Sequence, residues 1–227
     1  MIEVEKIRTW GFEHAIRGMR NPLNSWNKSD SFVCDAEMTP ECSYCEDRQT
    51  GRCADGFILG GNDFTLMQKL YAGGQPHRKY LRQIFVAMDI TAPLYWWKEF
   101  DTYKVGTTAN SCSTMHKIAA KPFQLDDFSF DHLYYDSIDC LDTIIHKLNE
   151  YRKKFNETKK KGDWWQMIQL LPSSYNQLRT VTMTYENVMN MLDYRQGHKL
   201  GEWNEFCEIL LELPYVAELR DSKGGQR

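Results

Sequence analysis

Asp89–Ile118, DITAPLYWWKEFDTYKVGTTANSCSTMHKI, sets the fold of this chain. Its first residues close an apolar run, RQIFVAMDI (Arg82–Ile90), which puts Ile84, Val86, Met88 and Ile90 on one face of an extended strand. Phe85 and Ala87 are apolar as well, so both faces of that strand are expected to be buried. Pro93 then opens a helix at its first turn, LYWWKEFDTYKV, expected to run to about Gly106 and to aim its C-terminal end at the polar residues beyond. There the amphipathic pattern breaks. Thr107, Thr108, Asn110, Ser111, Ser113 and Thr114 supply hydroxyl and amide groups without fixed charge, and Lys104 adds one positive charge. Such a loop suits a polar ligand, since backbone N–H groups and hydroxyls bind a phosphate or a uracil-like edge. It offers no evident general base. His116 is the nearest titratable group and reads as structural, and Cys112 has no placed histidine or helix N-terminus to activate it.

Upstream, Ile2, Val4 and Ile7 mark a short strand, followed by a helix from Gly11 to about Arg20 that Asn21-Pro22 stops. Asn62 or Asp63 is placed to cap a helix carrying Phe64, Met67, Leu70 and Tyr71, which ends at Gly73-Gly74. His77, Arg78, Lys79 and Arg82 form a basic cluster, fit for a phosphate or for a surface or subunit-interface role. Downstream, Ile138, Leu141, Ile145 and Leu148 stripe a long surface helix from about Tyr134 to Phe155. A short helix WWQMIQLL, a strand RTVTMTY and two helices, ENVMNMLDYR and EWNEFCEILLEL, complete the chain. The Trp96-Trp97 and Trp164-Trp165 pairs read as core or interface before they read as stacking platforms. The expected organisation is a single domain over 1–227, with a Cys-rich insertion at 24–60 and a flexible tail at 221–227.

With 227 residues, 42% of them hydrophobic, the chain can build a sizeable core. A net charge of -3 gives no reason to expect nucleic acid, and the lysines from Lys153 to Lys161 read as a solvated helix end. No run has the length of a signal-peptide core or a membrane span, so a cytoplasmic location is expected. Cysteines in such a compartment are ligands or buried thiols rather than disulfides. Cys34, Cys42, Cys45 and Cys53 have a central C-x2-C with longer outer spacings. They suit a structural zinc knuckle, with four thiolates closing the tetrahedron, or else are loop thiols in a polar insertion. Cys140 and Cys207 lie on helices and are expected in the core.

The order of these elements resembles the flavin-dependent thymidylate synthases, the ThyX-type enzymes. Their apolar strand, Ala-Pro, helix and signature R-H-R-x-x-S-x-N-E-x-S-x-R-Y are similar to Asp89–Ile118, and LPSSYNQLRTVTMTYENVMNMLDYR (Leu171–Arg195) aligns without gaps on their Leu-Pro, strand and helix ending in Leu-Arg. GEWNEF falls near their Ala-Gln-Trp-Glu element. The resemblance implies an α/β (α+β) domain with a central mixed or antiparallel sheet and flanking helices, assembled as a homotetramer whose sites draw on several subunits. It implies FAD, a pyrimidine nucleotide, and methyl transfer to dUMP from methylenetetrahydrofolate with reduction by flavin hydride. Anchored on Ala92-Pro93, the Arg-His-Arg falls on Thr102, Tyr103 and Lys104, the first Ser on Thr107 and the Glu on Asn110; a one-residue slip matches Thr108, Asn110 and Ser113 and puts Met115 at the last Arg. A phosphate-binding arginine before Leu-Pro falls on Ile168, while Arg195 matches a substrate-binding arginine and Asn190 a neighbouring Asn. The resemblance thus assigns Thr102, Tyr103, Lys104, Asn110 and Asn190 to the cofactor and Thr107, Thr108, Ser113 and Arg195 to the substrate. The missing arginines leave catalysis open, because no threonine or methionine replaces a guanidinium fork. The other outcome is an inactive or repurposed nucleotide-binding or assembly protein on the same fold.

Overall fold

In the computed structural model, which describes residues 1–34, 53–54 and 56–224, β1 (Glu3–Trp10) and α1 (Phe12–Arg20) lead into three short strands, β2 (Phe32–Val33), β3 (Cys53–Ala54) and β4 (Phe57–Ile58). There follow α2 (Gly61–Ala72), β5 (Phe85–Pro93), α3 (Leu94–Phe100), β6 (Thr107–Ser111), α4 (Thr114–Lys117), α5 (Tyr135–Thr158) and α6 (Lys161–Leu170). The chain continues through β7 (Asn176–Thr184), α7 (Tyr185–Arg195), α8 (Gly201–Leu211) and α9 (Val216–Gly224). Helix α9 therefore carries residues 221–224 of the stretch read as a tail.

The main sheet has the order β1-β5-β7-β6, and every pairing is antiparallel. At its centre β5 and β7 pair along their whole length, from Phe85 opposite Thr184 to Pro93 opposite Asn176. One face of this pair, with Val86, Met88, Ile90, Val181 and Met183, is fully buried. Against it pack Phe12 and Ile16 of α1, Met67 of α2, Trp96, Trp97 and Phe100 of α3, Val188 and Leu192 of α7, and Trp203 and Phe206 of α8. Each such side chain contributes roughly 1.5–3 kcal/mol of burial, so the large rings of α3 and α8 anchor the helical layer. The opposite face differs from expectation: Phe85, Ala87, Asp89 and Thr91 are half-buried rather than buried. The reason is the polar partner row, where Asp89 accepts from Thr180 at 2.6 Å and pairs with Lys6 at 2.9 Å.

A second apolar cluster gathers Leu141, Ile145 and Leu148 of α5, Met167 of α6, and Ile118, Phe123 and Phe128 of the preceding segment. Cys140 is exposed, not core, because it sits one residue, and so about 100° of helix, away from that stripe. Cys207 is buried as expected, and burial pushes its thiol up to about 11.

Beside α1 the chain after Asn24 is fastened by one carboxylate. Asp63, with no exposed surface, accepts from Arg20 Nε at 2.5 Å, from the hydroxyls of Ser29 and Ser31, and from the N–H groups of Asp30 and Ser31. Burial pushes the Asp63 carboxyl upward, but the hydroxyls of Ser31 and Ser29 and the guanidinium of Arg20 outweigh it, so the group titrates below its ordinary range. Capping of α2 also differs from expectation. Its N-cap is Gly60 without a side-chain bond, and Asp30 reaches across to accept from the N–H groups of Asn62 and Asp63. β2, β4 and β3 form a small sheet in that order, with Cys34 just after β2 and Cys53 opening β3. Cys42 and Cys45 lie outside the described residues, and among the described residues no group of three His, Cys, Asp or Glu side chains is placed to hold a metal.

Candidate functional site

The polar segment after α3 folds as an edge strand, not an open loop. α3 stops at Phe100, short of the expected end near Gly106, and Thr102 Oγ1 donates to the Glu99 carbonyl at 2.7 Å. Asn187, three residues after the N-cap Thr184 of α7, then pins the turn. Its Nδ2 donates to the Val105 carbonyl and to Thr107 Oγ1, both at 2.8 Å, while its Oδ1 accepts from Thr184 Oγ1 at 2.7 Å. Gly106 turns here with φ +77°, and a Cβ at that position would lie 2.9 Å from Asn187 Oδ1. Val105, 90% exposed, forms the apex. Beyond it Thr108 and Asn110 stand opposite Thr182 and Thr180 of β7.

Arg195 and Tyr103 come together, and they meet each other. Arg195 Nε donates to Tyr103 Oη at 3.0 Å, Nη1 donates to Glu99 Oε2 at 2.5 Å, and the guanidinium lies 4.8 Å from the centre of the Trp203 ring. His198 Nε2 lies 3.4 Å from the same Glu99 oxygen, and its Nδ1 accepts from the Leu200 N–H at 3.1 Å. With Nδ1 accepting, the ring proton belongs on Nε2, facing the carboxylate. Both ring nitrogens are thereby engaged, so His198 is not placed as a free base. Glu99 neutralises Arg195 inside the chain, and a ligand anion would have to compete with a carboxylate already seated. Lys104 is exposed and makes no ion pair or hydrogen bond among the described residues.

Ser113 belongs elsewhere, in a cleft of about 440 Å³ between the end of β6, α4 and the start of β7. Ser113 caps α4 by accepting from the His116 N–H at 3.1 Å, leaving its own hydroxyl proton to donate. The walls also carry Cys112, Thr114, Tyr175 and Asn176, and Gln177 Nε2 holds the Cys112 carbonyl at 2.8 Å. Lys117 and Lys121 face Asp126 and Asp127 across it, so the cleft is balanced in charge, and Lys121 pairs with Asp127 at 2.6 Å. Burial, then the Asp127 carboxylate, pushes the Tyr175 phenol above its ordinary value, holding it as a neutral hydroxyl.

Asn190 lies in a third place, where Arg78 Nη2 approaches its Oδ1 at 3.4 Å. The nine residues singled out for ligands therefore divide among the Arg195 cluster, the Asn187 turn, the outer sheet face, the cleft and the Arg78 cluster. Sequence reasoning passes over Glu99 and Asn187. The signal for Asn187 is its Thr-x-x-Asn spacing after a strand, the signature of a capped helix. No local signal marks Glu99, whose partner Arg195 is remote in sequence.

No family model matches the chain, and no curated protein matches it. Solved structures do. A flavin-dependent thymidylate synthase ThyX from Helicobacter pylori, complexed with FAD and dUMP, is similar over 96% of this chain and 99% of its own, with a TM-score of 0.63 at 14% identity. A second structure of the Helicobacter pylori protein, with FAD and dUMP, is similar over 98% and 99%, with a TM-score of 0.64 and again 14% identity. The likeness runs over nearly the whole of both chains, and it shows that this chain has the flavin-dependent thymidylate synthase fold.

Proposed function

We propose that this chain binds a pyrimidine nucleotide on that fold, with the base held in the cleft beside Ser113 and Tyr175. The observation that carries this is the chain-long likeness to structures solved with FAD and dUMP. The cleft supports it through its uncharged donors and acceptors, the Ser113, Thr114 and Tyr175 hydroxyls and the Asn176 amide, which match a uracil edge. The residues present do not fit FAD in the way the sequence resemblance implies. Of Thr102, Tyr103 and Lys104, the first is bonded to the Glu99 carbonyl and the second to Arg195, and Lys104 alone makes no such bond among the described residues. The side chains of the cleft bind and orient the nucleotide.

Isothermal titration of the purified protein with dUMP tests the proposal, with saturable binding expected at one site per chain. Absence of binding, with or without added FAD, would sink it. A dUMP-dependent tritium-release assay with FAD, methylenetetrahydrofolate and reductant separates the two outcomes of the family resemblance. Background turnover supports a binding protein, and turnover establishes the enzyme.

The second reading, an assembly protein with a zinc knuckle, is favoured by the neutralised Arg195. It places zinc on Cys34, Cys42, Cys45 and Cys53, and it takes the exposed Val105, Tyr134, Tyr135 and Tyr194 as parts of a subunit interface. Zinc near one per chain by elemental analysis and a homotetramer by light scattering are its expected results.

A further inference from the structure

We propose that the turn joining α5 to α6 is a docking surface for single-stranded nucleic acid, held by its lysines and by the ring of Trp165. From Arg152 to Lys161 the sequence places six cationic side chains, Arg152, Lys153, Lys154, Lys159, Lys160 and Lys161, against one carboxylate, Glu157. All five lysines are exposed. None of the six cations pairs with a carboxylate or makes a side-chain hydrogen bond among the described residues, whereas Lys121, Arg179 and Arg195 each have a carboxylate partner. The whole-chain charge of -3, which gives no reason to expect nucleic acid, averages over this segregation. Lys160 is the N-cap of α6 and Lys161 its first residue; no side chain caps that turn, and the helix dipole there adds positive potential. Cations thus crowd at a helix end that favours anions, and a polyanion relieves their repulsion.

The rings beside these charges select bases as well as phosphates. Trp165, one helical turn beyond Lys161, is 42% exposed. It leans edge-on against Trp164, with ring centres 4.9 Å apart, and Trp164 is anchored by donating Nε1–H to the Met115 carbonyl at 3.2 Å. On α5, Lys154 Nζ lies 5.4 Å from the centre of the Tyr151 ring, and Lys159 Nζ lies 5.6 Å from that of Phe155. Lysines that follow a phosphate backbone beside a held, exposed ring on which a base stacks are the elements of single-strand binding, and stacking requires an unpaired base. A lipid surface would call for a broad apolar face, but Trp164, Met167 and Ile168 of α6 are packed into the second apolar cluster, while Gln166 and Gln169 stand outside. This inference does not depend on the pyrimidine cleft, whose walls contain none of these cations or rings.

The test is fluorescence anisotropy of a labelled oligodeoxythymidylate of about 15 nucleotides titrated with the intact chain. Saturable binding is expected, with log affinity falling against log salt at a slope of about −2 or steeper. Lys159→Gln, Lys160→Gln and Lys161→Gln combined are expected to weaken binding by about tenfold or more. The same loss of charge at the exposed Lys28, Lys69 and Lys199 is expected to leave it within about twofold. Trp165→Ala, confirmed as folded by circular dichroism, is expected to weaken it by about fivefold or more. Excess dUMP is expected not to displace the oligonucleotide. Absence of saturable binding, equal weakening by the two triple variants, a folded Trp165→Ala that binds like wild type, or displacement by dUMP would overturn the proposal. Phosphatidylglycerol vesicles or a polyglutamate peptide bound where the oligonucleotide is not would overturn it in favour of a membrane surface or an acidic protein.

Discussion

The two ends of α7 carry arginine–carboxylate contacts built in opposite ways. At the C-terminal end Arg195 is bonded through Nε to Tyr103 and through Nη1 to Glu99 and is packed on Trp203. In the first turn Glu186 stands between Arg78 and Arg82 at distances too long for good hydrogen bonds, with buried atoms left open. Arg195 is the residue that alignment with a known family singles out for substrate, yet its charge is already satisfied. A residue's matching position is therefore weaker information than the partners the rest of the chain brings to it.

The closed kind of cluster is most complete at Asp63, and the largest effect is expected there. Asp63→Asn removes the buried partner of Arg20, and a loss of about 3–5 kcal/mol in urea unfolding is expected. The same carboxylate gives a pH dependence. Its folded pKa is depressed, so its contribution is fully present above the unfolded value of about 3.9 and is lost as pH falls through the folded one. Unfolding followed from pH 6 to pH 2 should show wild type losing stability below about pH 4, with Asp63→Asn losing less over the same interval.

Glu99→Gln sharpens the comparison at α7 itself. Because the Arg195 pair is partly exposed, about 1–2 kcal/mol of stability should be lost, and dUMP affinity should not rise. A gain in affinity would break the comparison, showing that Arg195 waits for a ligand behind Glu99. Glu186→Gln should cost less than about 1 kcal/mol in the same unfolding assay, as fits a loosely held carboxylate. The smallest stability effect belongs to the cleft. Tyr175→Phe should change stability by less than about 0.5 kcal/mol while weakening dUMP by roughly five- to tenfold, the worth of one hydroxyl hydrogen bond.

The central strands and the long helix are legible from periodicity because one face of each is buried: Val86, Met88 and Ile90 on β5, Leu141, Ile145 and Leu148 on α5. β6 is not. TTANS carries no apolar alternation, since an edge strand with both faces largely exposed has no hydrophobic side to reveal, and only its ladder to Arg179–Met183 makes it a strand. The half-open outer face of β5 escapes for the opposite reason, since Phe85 and Ala87 are apolar yet only half-buried among the described residues. For the site, Ser113 and Gly106 stand out locally, whereas the pairing of Glu99 with Arg195 joins helices remote in sequence, and no local pattern records it.

The visible absorption spectrum, taken as isolated and again after incubation with FAD and desalting, tests most directly whether Thr102–Lys104 has ceased to be a flavin cradle. A colourless protein after both treatments is predicted. Flavin bands surviving at near one per chain would contradict the account, because the cofactor would then be held without the arginines that the sequence lacks.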